Sequence, residues 1–202
     1  MDILGNFPET ELKRQLEFLV EIDKVKNILR QTLLTDGSRQ ENDAEHSWHI
    51  AVMAVILEKQ APKNVDINRA VKMCLIHDLI EIYAGDTFAY DTEANKGKEE
   101  REKAAGDRLF SILPKEQGEE LKKLWMEFDA METQDAKYAA SLDRLQPFIH
   151  NVLTNGHTWI LGKVSRSQVE KRISVAKENL PALKPWIDSM IEYGVKEGWI
   201  KS

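Results

Sequence analysis

The chain has one cysteine in 202 residues, so it holds no internal disulfide and no zinc site built on several thiolates. It also lacks a basic surplus. Its 28 Lys+Arg face 34 Asp+Glu, a formal net charge of −6, which argues against a general nucleic-acid binder. The opening residues, MDILGNFPETELKRQ, lack the basic region and apolar run of a secretory signal. Long hydrophobic runs are missing too, and stretches such as residues 50–57 fall far short of a membrane span. These absences point to a cytoplasmic protein with neither membrane nor nucleic acid as a partner. No repeat, low-complexity tract or Gly/Ser linker divides the chain, so its length is read as one domain over 1–202. A hydrophobic share of 42% is enough for a core and excludes wholesale disorder.

Strand-like alternation is scarce. Apolar residues recur at three and four, which predicts an all-α fold, a single helical bundle. A first helix is expected over about 9–32 behind Pro8, with Leu12, Leu16, Leu19 and Val20 as its apolar stripe. Residues 35–42 read as a loop feeding a second helix over about 43–60. Asp66 is placed to cap a third, with Val71, Leu75 and Leu79 inward, running to residue 84 and stopped by Gly85. The charged segment 91–101 reads as surface, with a lid over a pocket as the sharper reading. Further helices are expected over about 101–112, 114–131, 134–155 with a kink at Pro147, 167–178 and 182–194.

The residues that carry chemistry are histidines beside acids. His77-Asp78 interrupts the apolar run CLIHDLIEIY, where such a pair is costly to bury unless something compensates, and a divalent cation is one such compensation. Glu81 follows one turn later on the same helix face. His46 on the second helix, and Asp143 in the step Ser141-Leu142-Asp143-Arg144, offer another imidazole and another carboxylate. Two imidazoles and two carboxylates suit one Mn²⁺, Co²⁺, Fe²⁺, Mg²⁺ or Zn²⁺ ion. Periodicity alone does not bring the four together.

The order His46, His77-Asp78, Asp143 resembles the H…HD…D signature of the HD-domain metal-dependent phosphohydrolases. More narrowly, E-N-x-x-E-H-S from Glu41 to Ser47 and H-D-x-x-E-x-x-x-G-D from His77 to Asp86 resemble the bacterial 5′-deoxynucleotidases and their eukaryotic relatives, over roughly residues 12–155. The resemblance implies a helical fold, a single divalent ion, a homodimer, and hydrolysis of nucleoside 5′-monophosphates. It implies His46, His77, Asp78 and Asp143 as metal ligands and Glu81 as the catalytic carboxylate. Asp86 would lie near the sugar or the attacking water. An Arg-Trp pair precedes the first ligand in the bacterial enzymes; the nearest match is Arg30, followed by Gln31 and offset by one residue. Arg30 and Arg39 are the candidates for binding the substrate's phosphate.

Other residues receive plainer readings. Glu45 supports His46, while His49, with a second ion as its alternative, lies at the core edge. His150, His157 and Cys74 are packing or surface residues, Arg144 is structural, and the five Trp belong to the core or a dimer contact. Helices over 165–197 carry no family motif and pack on the rest. Two other functions compete: hydrolysis of another phosphate compound, such as a nucleoside triphosphate or an alarmone, and a non-catalytic metal-stabilised scaffold. Glu81 and Asp86 argue against the scaffold, which has no use for further site carboxylates.

Overall fold

A computed structural model of the chain describes Gly5, residues 8–91 and residues 93–202. Residues 1–4, 6 and 7 of the opening stretch, and Thr92 of the charged segment, lie outside the described residues. The fold is helical, as the periodicity predicts, apart from one small hairpin.

Helix α1 spans Glu11–Ile22, with Thr10 Oγ1 accepting from the backbone of Lys13, and passes into a 3₁₀ turn over Asp23–Asn27. The expected helix to residue 32 is therefore too long. Strand β1, Leu29–Leu33, pairs antiparallel with β2, Gln40–Asn42, inside the segment read as a loop. Here hydropathy runs against burial: Thr32 is buried while Leu29 is exposed, so the two-residue period is hidden from a search for apolar alternation. The α1 stripe departs in the same sense, since Phe18 is buried while Leu12, Leu19 and Val20 face outward.

Helix α2, Asp43–Ile56, begins at a capping box in which Asn42 Oδ1 accepts from the Glu45 backbone and the Glu45 carboxylate accepts from the Asn42 backbone. Helix α3, Ile67–Ile76, is capped by Asp66 as expected but does not reach residue 84. Backbone bonds switch to an i→i−3 pattern at Leu79 and Glu81, and only the short α4, Glu81–Ala84, follows. The cause is local. His77 Nδ1 donates to the Cys74 carbonyl at 2.9 Å, an acceptor that a continuing helix would give to the backbone of Asp78. Leu75, expected inward, is exposed.

Helices α5 (Lys98–Phe110), α6 (Lys115–Ala130) and α7 (Gln134–Leu153) follow their expected ranges closely. Helix α7 is the axis of the molecule and packs against α2, α3, α6 and α9. Ala136, Ala139 and Ala140 lie buried along it, and Tyr138, Leu142 and Leu145 fill the core beside them. It continues through Pro147, which leaves the Asp143 carbonyl without its helical donor. The short α8, His157–Leu161, was not anticipated; α9, Arg166–Asn179, and α10, Lys184–Lys196, close the fold with Ile173, Ile187 and Ile191 buried. Among the described residues, no helix is long and apolar enough to cross a membrane.

Candidate metal centre

Four elements deliver the site. The start of α2 brings His46, the turn after α3 brings His77 and Asp78, the middle of α7 brings Asp143, and the hairpin lays Arg30 and Glu41 beside them. His46 is fully buried, and His77, Asp78, Asp143 and Glu81 are each less than a tenth exposed. His46 Nε2 lies 3.1 Å from Asp143 Oδ1 and 3.9 Å from Asp78 Oδ2, while His77 Nε2 lies 3.1 Å from Asp78 Oδ2 and 3.5 Å from Asp143 Oδ1. The four side chains that the motif singled out thus converge on one point.

The partners of each imidazole define which nitrogen faces that point. Gln146 Nε2 donates to Glu41 Oε1 at 2.5 Å and to His150 Nε2 at 3.0 Å, so its Oε1 is the acceptor for His46 Nδ1, also at 3.0 Å. His77 Nδ1 is engaged by Cys74. Both Nε2 atoms therefore face inward, towards carboxylate oxygens; His46 Nε2 presents a lone pair, and His77 Nε2 presents one once it gives up the proton that Asp78 and Asp143 hold on it. His77 Nε2 is buried without a hydrogen-bond partner, as are Glu41 Oε2, Asp43 Oδ2 and Glu81 Oε2. Nitrogens and carboxylate oxygens at these separations are satisfied by protons or by a cation between them. Ligand atoms on one ion with bonds of about 2.1 Å are spaced about 3.0–3.4 Å apart, close to the shorter distances here. The donor set fits a divalent ion, with the outer nitrogen of each His already held.

A second layer of charge surrounds the first. Arg30 Nη1 donates to Asp78 Oδ2 at 2.7 Å and to Asp43 Oδ1 at 3.2 Å, and this pairing holds its pKa up against burial. Asp43, at the first residue of α2, has an oxygen within 4.8 Å of those of Asp78 and Glu81. Burial pushes Asp43 and Glu41 up to about 7. Burial, joined by Asp78, Asp43 and Asp86, pushes Glu81 up to about 11. Burial and Arg30 bring His46 down to about 4, whereas Asp78 and Asp143 overcome burial at His77 and hold it up to about 10.

Asp86 follows Gly85, whose φ of 76° ends α4 in a conformation glycine adopts freely. Asp86, Arg30, Phe88, Tyr90, Trp159 and Arg172 line one cavity. Arg39 is elsewhere. It is exposed and forked onto Glu45 at 2.5 and 2.8 Å, where it braces the start of α2, and it lines neither this cavity nor its neighbour. The sequence reading overlooked Asp43, Gln146 and Arg172. Asp43 stood in view between the Glu41-Asn42 and Glu45-His46 pairs; the other two carried no signal, because their partners lie on remote elements.

Comparison with known proteins agrees with this architecture. A family model described as HD domain matches residues 22–184. The 5′-deoxynucleotidase HDDC2 of Xenopus laevis is 28% identical over 135 residues, covering 66% of this chain and 66% of that protein; the Homo sapiens protein of the same name is 27% identical over 132 residues, covering 65% and 63%. The matches thus span about two thirds of the length of these curated relatives. A crystal structure from Magnetospirillum magnetotacticum MS-1, described as a predicted metal-dependent phosphohydrolase, superposes with a TM-score of 0.91 at 48% identity, over 97% of this chain and 98% of that one. With the family model spanning most of its length and the H…HD…D residues converging as they do, the chain belongs to the HD domain family.

Proposed function

We propose that the chain is a metal-dependent phosphohydrolase acting on nucleoside 5′-monophosphates, with His46, His77, Asp78 and Asp143 as the ligands of one divalent ion. The observation that carries this reading is the pair of Nε2 atoms aimed at the two Asp carboxylates, each imidazole held by its other nitrogen. The names of the curated relatives and the solved neighbour support the same reaction. When bound, the ion supplies Lewis acidity and an acidified water.

The chain's own residues supply the rest. Arg30 holds Asp78 Oδ2, the oxygen that faces the two imidazoles, and lines the cavity. Glu81 keeps a proton at neutral pH; a cation among its neighbours lowers its pKa towards the working range, where it can hand that proton to the departing sugar oxygen. Asp86 faces the cavity, and Phe88, Tyr90 and Trp159 provide the apolar wall for sugar and base. A homodimer is part of this proposal. Trp48, Val52, Val55 and Ile56 form an exposed apolar face at helical spacing on α2, of the kind a second copy covers. The buried lone thiol of Cys74 accords with a reducing, cytoplasmic setting.

The test is phosphate release from deoxy- and ribonucleoside mono- and triphosphates after chelation and return of Mn²⁺, Co²⁺, Mg²⁺, Fe²⁺ or Zn²⁺. Inorganic phosphate from the monophosphates is expected. Pyrophosphate or triphosphate from the triphosphates would reassign the substrate class, and stoichiometric metal binding without turnover would leave a scaffold.

A further inference from the structure

The cations nearest the proposed ligands are not equally available. Arg30 is committed to Asp78 and Asp43, and Arg39 to Glu45. Two other guanidiniums stand at the cavity with donors to spare. Arg172, on α9, approaches Asp143 Oδ2 at 3.7 Å, the oxygen turned away from the two imidazoles, and among the described residues it donates no hydrogen bond. Arg144, on α7, is half-buried and forms no ion pair among the described residues; its contacts are Met131 Sδ and the Ala140 carbonyl. Both line the cavity that holds Asp86 and Trp159, and both also line the adjoining, more open cavity, where Lys171 joins them and no acidic residue appears. Arg144 has no acid partner among the described residues and Arg172 has only Asp143 at 3.7 Å, so both leave guanidinium donors free at a cavity wall, where an anion can be met.

We propose that Arg172 seats the phosphate group of the substrate beside Asp143, with Arg144 adding its charge from α7. The inference rests on the phosphohydrolase reading above and deepens it, giving the motif-free C-terminal helices a direct part in substrate binding. A guanidinium suits the role because its planar fork meets two phosphate oxygens at once, whereas an ammonium would present a point charge. Its position also leaves the inner oxygen of Asp143 to the metal centre.

The experiment is calorimetric titration of inorganic phosphate into the full-length, Mn²⁺-loaded protein. Arg172→Gln is expected to weaken phosphate binding about 10- to 100-fold with Mn²⁺ stoichiometry unchanged, as for loss of a charge-assisted contact. Arg172→Lys should restore part of the loss. Arg166→Gln, on the same helix but paired with Glu192, should bind phosphate as the unaltered protein does. Phosphate bound by Arg172→Gln as tightly as before would overturn the proposal. So would loss of Mn²⁺ from that variant, which would reduce Arg172 to a prop for Asp143. If phosphate binding depends on Arg172 yet no nucleoside monophosphate is turned over, the phosphate seat stands and the substrate assignment falls.

Discussion

Gln146 joins two histidines and a carboxylate through one amide, so its replacement tests how far the imidazoles depend on their outer partners. In Gln146→Leu the His46 Nδ1 donor loses its acceptor and Glu41 loses a donor, both in the dry interior. Stability should fall by about 1–3 kcal/mol, the cost of stranding buried polar groups. Mn²⁺ affinity should fall about 10- to 100-fold, as when the outer partner of a ligating histidine is removed. Unchanged affinity in a metal titration would mean that packing alone orients His46. Glu81 asks a different question at the same scale. Glu81→Gln keeps the side chain's shape but has no acidic proton, so metal content should survive while kcat falls about 10²- to 10⁴-fold. Equal loss of metal and turnover would instead make Glu81 a ligand.

Between elements, the approach of α6 to the end of α5 is the tightest backbone contact with a glycine. A Cβ on Gly118 would stand 2.3 Å from the Phe110 carbonyl oxygen, and a carbonyl cannot swing aside as a side chain can. Gly118→Ala is expected to cost about 1–3 kcal/mol, as overpacking does. That corresponds to roughly 2–4 °C of Tm per kcal/mol in a chain of this size. A melting curve within one degree of the parent would show that α6 can slide. The same scale separates what the sequence reveals from what it hides. Helices α5 to α7 and α9 to α10 were legible because their buried residues recur at helical spacing. The β1–β2 hairpin was not, because it buries Thr32 and half-buries Arg30 while exposing Leu29. The break after Ile76 was equally hidden, since it depends on an imidazole capturing a backbone carbonyl. The motif histidines and acids were legible as a set, yet Arg172 could not be, because only the folding of α9 onto α7 brings it to Asp143.

At the scale of the molecule, the acids around Arg30 make folding, protons and metal compete for one charge. Chelated protein satisfies the cluster with protons, with His77 held up to about 10, Glu81 up to about 11, and Glu41 and Asp43 at about 7. From pH 7 to 9 the folded state therefore binds more protons than the unfolded chain, whose carboxyls and histidines have already released theirs. Stability of the chelated protein must then fall as pH rises through that window, by about 1.4 kcal/mol per pH unit for each proton fully retained. His46, pushed down to about 4, is neutral in both states there and adds no slope. A divalent ion displaces the His77 proton and loosens those of the neighbouring carboxyls, so loading should make the profile shallower and make Mn²⁺ affinity increase with pH. The check is a pair of melting series, with chelator and with Mn²⁺, between pH 7 and 9. The chelated Tm should descend more steeply than the loaded Tm. Parallel descent in both would mean that the ion does not replace these protons, and would remove the His46, His77, Asp78 and Asp143 cluster as its site.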